Sequence, residues 1–177
     1  MIAALVFTFA MAAAPADQTA CPMHEEHMKA AKADGSAQHG AEVDARHDTF
    51  GMAHDASHHN FRMFKDGGAI ELRANDPNNA AMIDVIRKHL REINASFVKS
   101  DFSTPMFVHG HAPDGVADMK RLSSKIEYRY EDLESGGRIR MITSDRKAVA
   151  AIHDFVKFQV TEHRTADTGQ IEEDKSR

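Results

Sequence analysis

The chain has 177 residues, of which 42% are hydrophobic and 28% charged, and its formal net charge is -5. That length builds one domain with a modest core and excludes two full-sized ones, and the acidic balance gives nucleic acid no footing as a partner. Histidine is the outlying residue type: twelve histidines and ten methionines accompany two tyrosines and no tryptophan, and seven of the histidines fall between His24 and His59.

Residues 1–16, MIAALVFTFAMAAAPA, are an apolar run closed by small residues, with Ala14-Pro15-Ala16 fitting an A-x-A cleavage site. The run is too short for a stable membrane span, which needs about 20 residues, so it predicts a signal peptide and an exported, periplasmic protein. Residues 17–57 are polar and alanine-rich, with Val43 their only branched apolar residue, and predict a disordered leader. Within the leader, CPMHEEHM (21–28) holds the only cysteine. Pro22 suits a first helical position, and on such a helix Cys21, His24 and Met28 share a face with His27 beside them. Thiolate and thioether donors select soft ions, Cu(I) above all, and imidazole suits copper or zinc. Lipid attachment at Cys21 is disfavoured, because Gln18-Thr19-Ala20 before it is polar. His47, His54, His58 and His59 follow in HDTFGMAHDASHH (47–59), where adventitious binding of a divalent ion is expected whatever the purpose of the segment.

From His58 the pattern changes. FRMFKDGGAIELRAND (61–76) and YRYEDLESGGRIRMITSD (128–145) each read as strand, Gly-Gly turn and strand, with Ile70, Leu72 and Ala74 alternating with Glu71 and Arg73. A helical stripe follows each hairpin: Ile83, Ile86, Leu90, Ile93 and Phe97 after Asp76-Pro77, then Val149, Ile152, Val156 and Val160 after Ser144-Asp145. Residues 58–165 therefore predict an α+β domain of two ββα repeats, giving a four-stranded antiparallel sheet with two helices packed on one face. The long connection from Lys99 to Lys125 carries His109-Gly110-His111 and a short helix capped by Asp114, and residues 166–177 read as a polar tail.

Parity places His59 inward with Phe61 and Met63, and His163 in register with Val149, Ile152, Val156 and Val160, with His153 at the edge of that stripe. If 106–111 is extended, His109 and His111 share a face and Met106 points away. His153 and His163 lie about 15 Å apart along a helix and cannot share one ion. This leaves His109 with His153, or His59 with His163, plus a methionine such as Met106 or Met119. The chain has no GxSxG, P-loop, HExxH, CxxC or CxxCH motif.

Cys-Pro-Met-His resembles the head of the short heavy-metal-binding segment of copper-transporting ATPases, and Glu25 stands where that segment commonly has proline. The body, through HHNF, DGGAIEL and IHDFVKFQVTEHRT, resembles a group of small exported bacterial proteins. That likeness implies export and a single domain and supplies no activity. Three readings stay open. One is a periplasmic copper-like metal-binding or buffering protein without turnover. Another is a protein or enzyme holding haem or a mononuclear metal such as zinc in the folded domain. The third is an interaction module that forms a homodimer through edge strands.

Overall fold

The computed structural model describes residues 38–52 and 55–174. Cys21, His24, His27, Met28 and His54 lie outside the described residues, as do residues 1–16 with the expected signal peptide. A helix over residues 38–48 (α1) comes first. It is followed by β1 (Ser57–Phe64), β2 (Gly67–Ala74), α2 (Ala80–Val98), α3 (Ser103–His109), α4 (Val116–Arg121) and a 3₁₀ turn (Ser123–Lys125). The chain ends with β3 (Glu127–Leu133), β4 (Gly136–Ile142), α5 (Arg146–Glu162) and the short β5 (Ile171–Glu172).

The order strand, strand, helix therefore occurs twice, and the fold is α+β. The sheet has five strands in the order β3-β4-β2-β1-β5. Four are antiparallel, and β5 adds a parallel edge of two residue pairs beside β1, which makes the sheet mixed. Antiparallel pairing of β2 with β4 places the two hairpins side by side, and each long helix crosses the other repeat's hairpin: α5 packs on β1 and β2, and α2 on β3 and β4.

The cores of the two halves match. The spacing that pairs Ile83 with Val149 also pairs Phe97 with His163, and the matching of the hairpins pairs His59 with Tyr128. In one half Phe97 meets Tyr128 edge-on at 5.7 Å, and in the other His59 stacks on His163 at 4.6 Å.

Local chemistry explains the boundaries. Asp145 caps α5, accepting from the amides of Lys147 and Ala148. The cap of α2 is Asn79, which accepts from Met82 N–H, and Asp76 instead turns the chain by accepting from Asn78 N–H. The Gly-Gly pairs are the first residues of β2 and β4, and the turns proper are Lys65-Asp66 and Glu134-Ser135. Glycine is needed there because helix and neighbouring strand press on the sheet. A Cβ on Gly68 would meet Val156 and Ile152 at 3.0 and 3.1 Å, and one on Gly67, at φ +137°, would lie 2.0 Å from the carbonyl oxygen of Met141. Gly67→Ala should therefore cost at least about 1–3 kcal/mol from the backbone conformation alone, read as a lower urea midpoint; an unchanged midpoint would contradict this packing.

Three expectations are corrected. The described part reaches into the stretch assigned to the leader: residues 38–48 are helical, and Val43, His47 and Met52 are buried, because α1 docks on the body through His39 to Glu162, Asp44 to Arg164 and Arg46 to the carbonyl oxygen of Val108. The segment around His109 is helical (α3) and not extended, so parity does not govern His109 and Met106. The short helix α4 starts at Gly115 in the left-handed region, without a side-chain cap from Asp114.

The outer face of the sheet is also less open than its alternation predicts. Glu71, Arg138 and Arg140 are buried there, because the C-terminal segment crosses them: Asp174 bonds Arg140 at 2.9 Å and Arg138 at 3.5 Å, Glu172 bonds Arg62 at 2.6 Å, and Asp167 accepts from Phe61 N–H at 2.8 Å. Among the described residues no helix is long and apolar enough to cross a membrane.

Candidate functional site

Five elements each bring one imidazole to the same place between the sheet and the helices. His47 comes from the last turn of α1, His59 from β1, His89 from α2, His109 from the last position of α3, and His163 from the C-cap of α5. Ring centroids lie 4.6 Å apart for His47 and His59, 4.6 Å for His59 and His163, 5.0 Å for His109 and His163, and 6.1 Å from His47 to both His89 and His163. The placement follows from local geometry. His59 shares the inward parity of Phe61 on β1, and Gly110 at φ 74° ends α3 and turns the chain away just after His109.

The rings border a cavity of about 50 Å³ whose floor is apolar, made by Leu72, Leu90, Phe97 and Phe155 among others. A single water needs roughly 10–15 Å³ on this measure, so there is room for a few waters or for an ion with part of its shell.

Burial sets the proton affinity of the cluster. Desolvation, with His47 beside it, pulls His89 down to about 4, and desolvation with His109, His47 and Arg164 nearby pulls His163 down to about 3. His59 is lowered well below the usual histidine range by burial first and then by His163, His47, His89 and His58. His109 is lowered too, chiefly by burial, against the raising effects of Gln159 and Glu162. At neutral pH these four rings are therefore neutral, each offering one lone pair.

His109 is the most confined, at 1% exposure. Its Nε2 lies 3.0 Å from Oε1 of buried Gln159, which fits an Nε2–H donor and leaves the Nδ1 lone pair; this Nδ1 is buried without a hydrogen-bond partner. The nearest charged atom to it is Oε2 of Glu162 at 3.6 Å, and that oxygen also accepts from His39 Nε2 at 2.5 Å. His111 Nδ1 bonds the carbonyl oxygen of His109 at 2.9 Å. Glu162 thus ties the cluster to His39, and the His109 carbonyl oxygen ties it to His111, two imidazoles nearer the surface.

Of the candidates read from the sequence, His59, His109 and His163 come together. His153 does not join them: its Nε2 sits 2.9 Å from the carbonyl oxygen of Phe64 and 3.1 Å from that of Gly67, a ring that ties α5 to the first hairpin turn. His58 is exposed and bonds Asn75, Met106 is exposed, and Met119 is buried in the core. His89 is an addition, and His47, named from the sequence only among the adventitious ion binders of 47–59, joins the buried rings. His89 was detectable, three residues beyond Ile86 and four before Ile93 on the apolar stripe. His47 was hidden by a polar context that gave no sign of α1 docking.

Among the described residues no three His, Cys, Asp or Glu side chains already stand as a ligand set for a metal ion; the rings face one another in stacked and edge-on contacts. Comparison with protein-family models, with curated proteins and with solved structures gave no match.

Proposed function

We propose that this chain is an exported, periplasmic transition-metal-binding protein of the copper-handling kind, which holds its ion among the imidazoles of the folded domain and carries out no turnover. One observation carries the reading: five imidazoles from five elements converge on one cavity, and the most buried keeps an unpartnered Nδ1 lone pair. Burying an unsatisfied acceptor costs about 1–3 kcal/mol, and an ion drawing on that lone pair removes the cost. Neutral imidazoles are the ligand-ready form for copper or zinc. Seating an ion requires the rings to turn about χ2, a soft torsion with broad wells. Gln159 is suited to orient His109, since a ligating imidazole commonly gives its other N–H to a fixed acceptor. The inner cavity suits a small ion, being well under the about 300–1,000 Å³ of pockets for larger molecules, and His47, His59 and His163 also border an outer cavity of about 370 Å³ beside Ser57, His58 and Asn60.

Cys21 and Met28 supply soft donors on the preceding segment and His24 and His27 imidazoles beside them, and in this reading the four capture Cu(I) and pass it inward. The test is ion content and affinity of the full chain after copper or zinc loading, measured by elemental analysis and competition with a chelator. His59→Ala and His163→Ala should each weaken retention by at least about tenfold, while a Cys21→Ser/His24→Ala variant keeps the tightly held ion. Substoichiometric metal in the loaded wild type, or retention unchanged by His59→Ala/His163→Ala, would refute the reading.

A further inference from the structure

The two edges of the sheet are treated differently. At one edge β5 lies against β1. At the other, β3 pairs only with β4 among the described residues. The two-residue turn makes Leu133 and Gly136 a hydrogen-bonded pair, so by alternation the backbone groups of Glu127, Arg129, Glu131 and Leu133 serve β4. Those of Tyr128, Tyr130 and Asp132 point away from the sheet, where they can template another strand.

The charges on β3 restrict what that strand can be. Glu127 and Arg129 are exposed and bond each other along the strand at 2.7 Å. If a second copy of β3 pairs antiparallel, the outward backbone groups must oppose one another, which leaves few registers. Setting Arg129 opposite Arg129 would also set Glu127 opposite Glu131, like against like. Setting Tyr130 opposite Tyr130 pairs Arg129 with Glu131, which is held by buried Arg138, whereas the Glu127–Arg129 bond is exposed at both ends and can exchange for the same bond across the axis. Setting Tyr128 opposite Tyr128 pairs Glu127 of each copy with Arg129 of the other. These are non-hydrogen-bonded positions, where cross-strand side chains approach closest. The same register makes about four backbone hydrogen bonds, two from the pair 128–128 and one each from 126–130 and 130–126, because Ile126 N–H is already given to the Ser123 carbonyl oxygen.

We propose that β3 is a homodimerisation edge, joining two copies about a two-fold axis at Tyr128 into one continuous ten-stranded sheet, with reciprocal Glu127–Arg129 pairs fixing the register. The contact is isologous, so it closes at two copies and does not propagate. A strand pair of this length buries less than the roughly 1,600 Å² of a standard interface, so the dimer is weak, with a midpoint between about 1 µM and 1 mM.

Sedimentation of the full chain over that concentration range tests it. Wild type should move from monomer to dimer, with association weaker at high salt. Glu127→Arg and Arg129→Glu should each weaken association by at least about tenfold, because like charges then face each other at both ends of the pairing. The double variant Glu127→Arg/Arg129→Glu should restore it, since only the Tyr128-centred register exchanges these two side chains. Both positions are exposed, and unchanged melting temperatures certify that the variants are folded. A monomer throughout, a dimer indifferent to the single variants, or a double variant that stays monomeric would each overturn the assignment.

Discussion

Metal-free protein should hold its stability above about pH 6.5 and lose it steeply from there to about pH 5, before most carboxylates begin to protonate. The sign follows from the imidazoles. In the unfolded chain each titrates near 6.5, whereas in the fold His89 titrates at about 4 and His163 at about 3, with His59 and His109 lowered as well. Below 6.5 the unfolded chain takes up protons that the folded one refuses, so acid favours unfolding. Each such group contributes a slope of about 1.4 kcal/mol per pH unit, or about 2 kcal/mol by pH 5 for His89 and again for His163. The rings neighbour one another, so their protons are lost and gained as a set and the transition is shared.

Urea melts of metal-stripped protein at half-unit steps from pH 7.5 to 4 measure this directly. A midpoint that does not move between pH 7 and pH 5 would mean that the rings are solvated and the cluster is not packed as described. Loaded protein should start from higher stability and fall more steeply, because protons then compete with the ion for the same nitrogens.

The second large effect sits on the opposite face of the sheet. Arg140 is 1% exposed, and its guanidinium meets Asp174 at 2.9 Å, Asp66 at 3.0 Å and the carbonyl oxygen of Gly68 at 2.8 Å, with its carbon 4.3 Å from the Phe64 ring centroid. Arg140→Ala removes a side chain that fills the space between β4 and the C-terminal segment, and it withdraws the charge nearest to Asp174 and Asp66, leaving Asp174 its longer contact with Arg138. Breaking a buried pair from one side costs about 3–5 kcal/mol, and the same loss is expected here. Arg140→Met keeps most of the volume and should recover part of it. Chemical denaturation gives the magnitude. Proteolysis near residues 165–174 gives the mechanism, since the segment should become cleavable in Arg140→Ala and stay protected in wild type. A loss under about 1 kcal/mol would show that the segment is held by something other than this charge.

How far the chain could be read from its residues depends on whether signals were local. Both hairpins, both long helices and their repetition were legible because alternation in 61–74 and 128–142 and the stripes from Ile83 and Val149 are each contained in one element. His59 and His163 were legible for the same reason, since each sits in phase with its own element's apolar face. His47 was not, because its burial comes from α1 meeting β1, α2 and α5, and nothing in residues 38–48 announces that meeting. The helical state of α3 was missed because His-Gly-His beside two prolines looks like a loop; the break falls after His109, at Gly110, and not before it. The closing of the outer sheet face was hidden in a tail whose acids look solvated until they are set against Arg62, Arg138 and Arg140.

The matched halves carry a last consequence. Where one half joins strand to helix through Tyr128 and Phe97, the other uses His59 and His163 at the same two stations of the scaffold. The aromatic version shows that this architecture can close that joint with hydrocarbon and a phenol, so imidazole is not a requirement of folding there. The domain is in effect its own paired comparison, one joint closed by aromatic rings and its twin by imidazoles, which on the proposed reading serve as nitrogen donors at some expense in acid tolerance. Exchanging the residues between the twins would separate what holds the protein together from the ion-holding proposed for it.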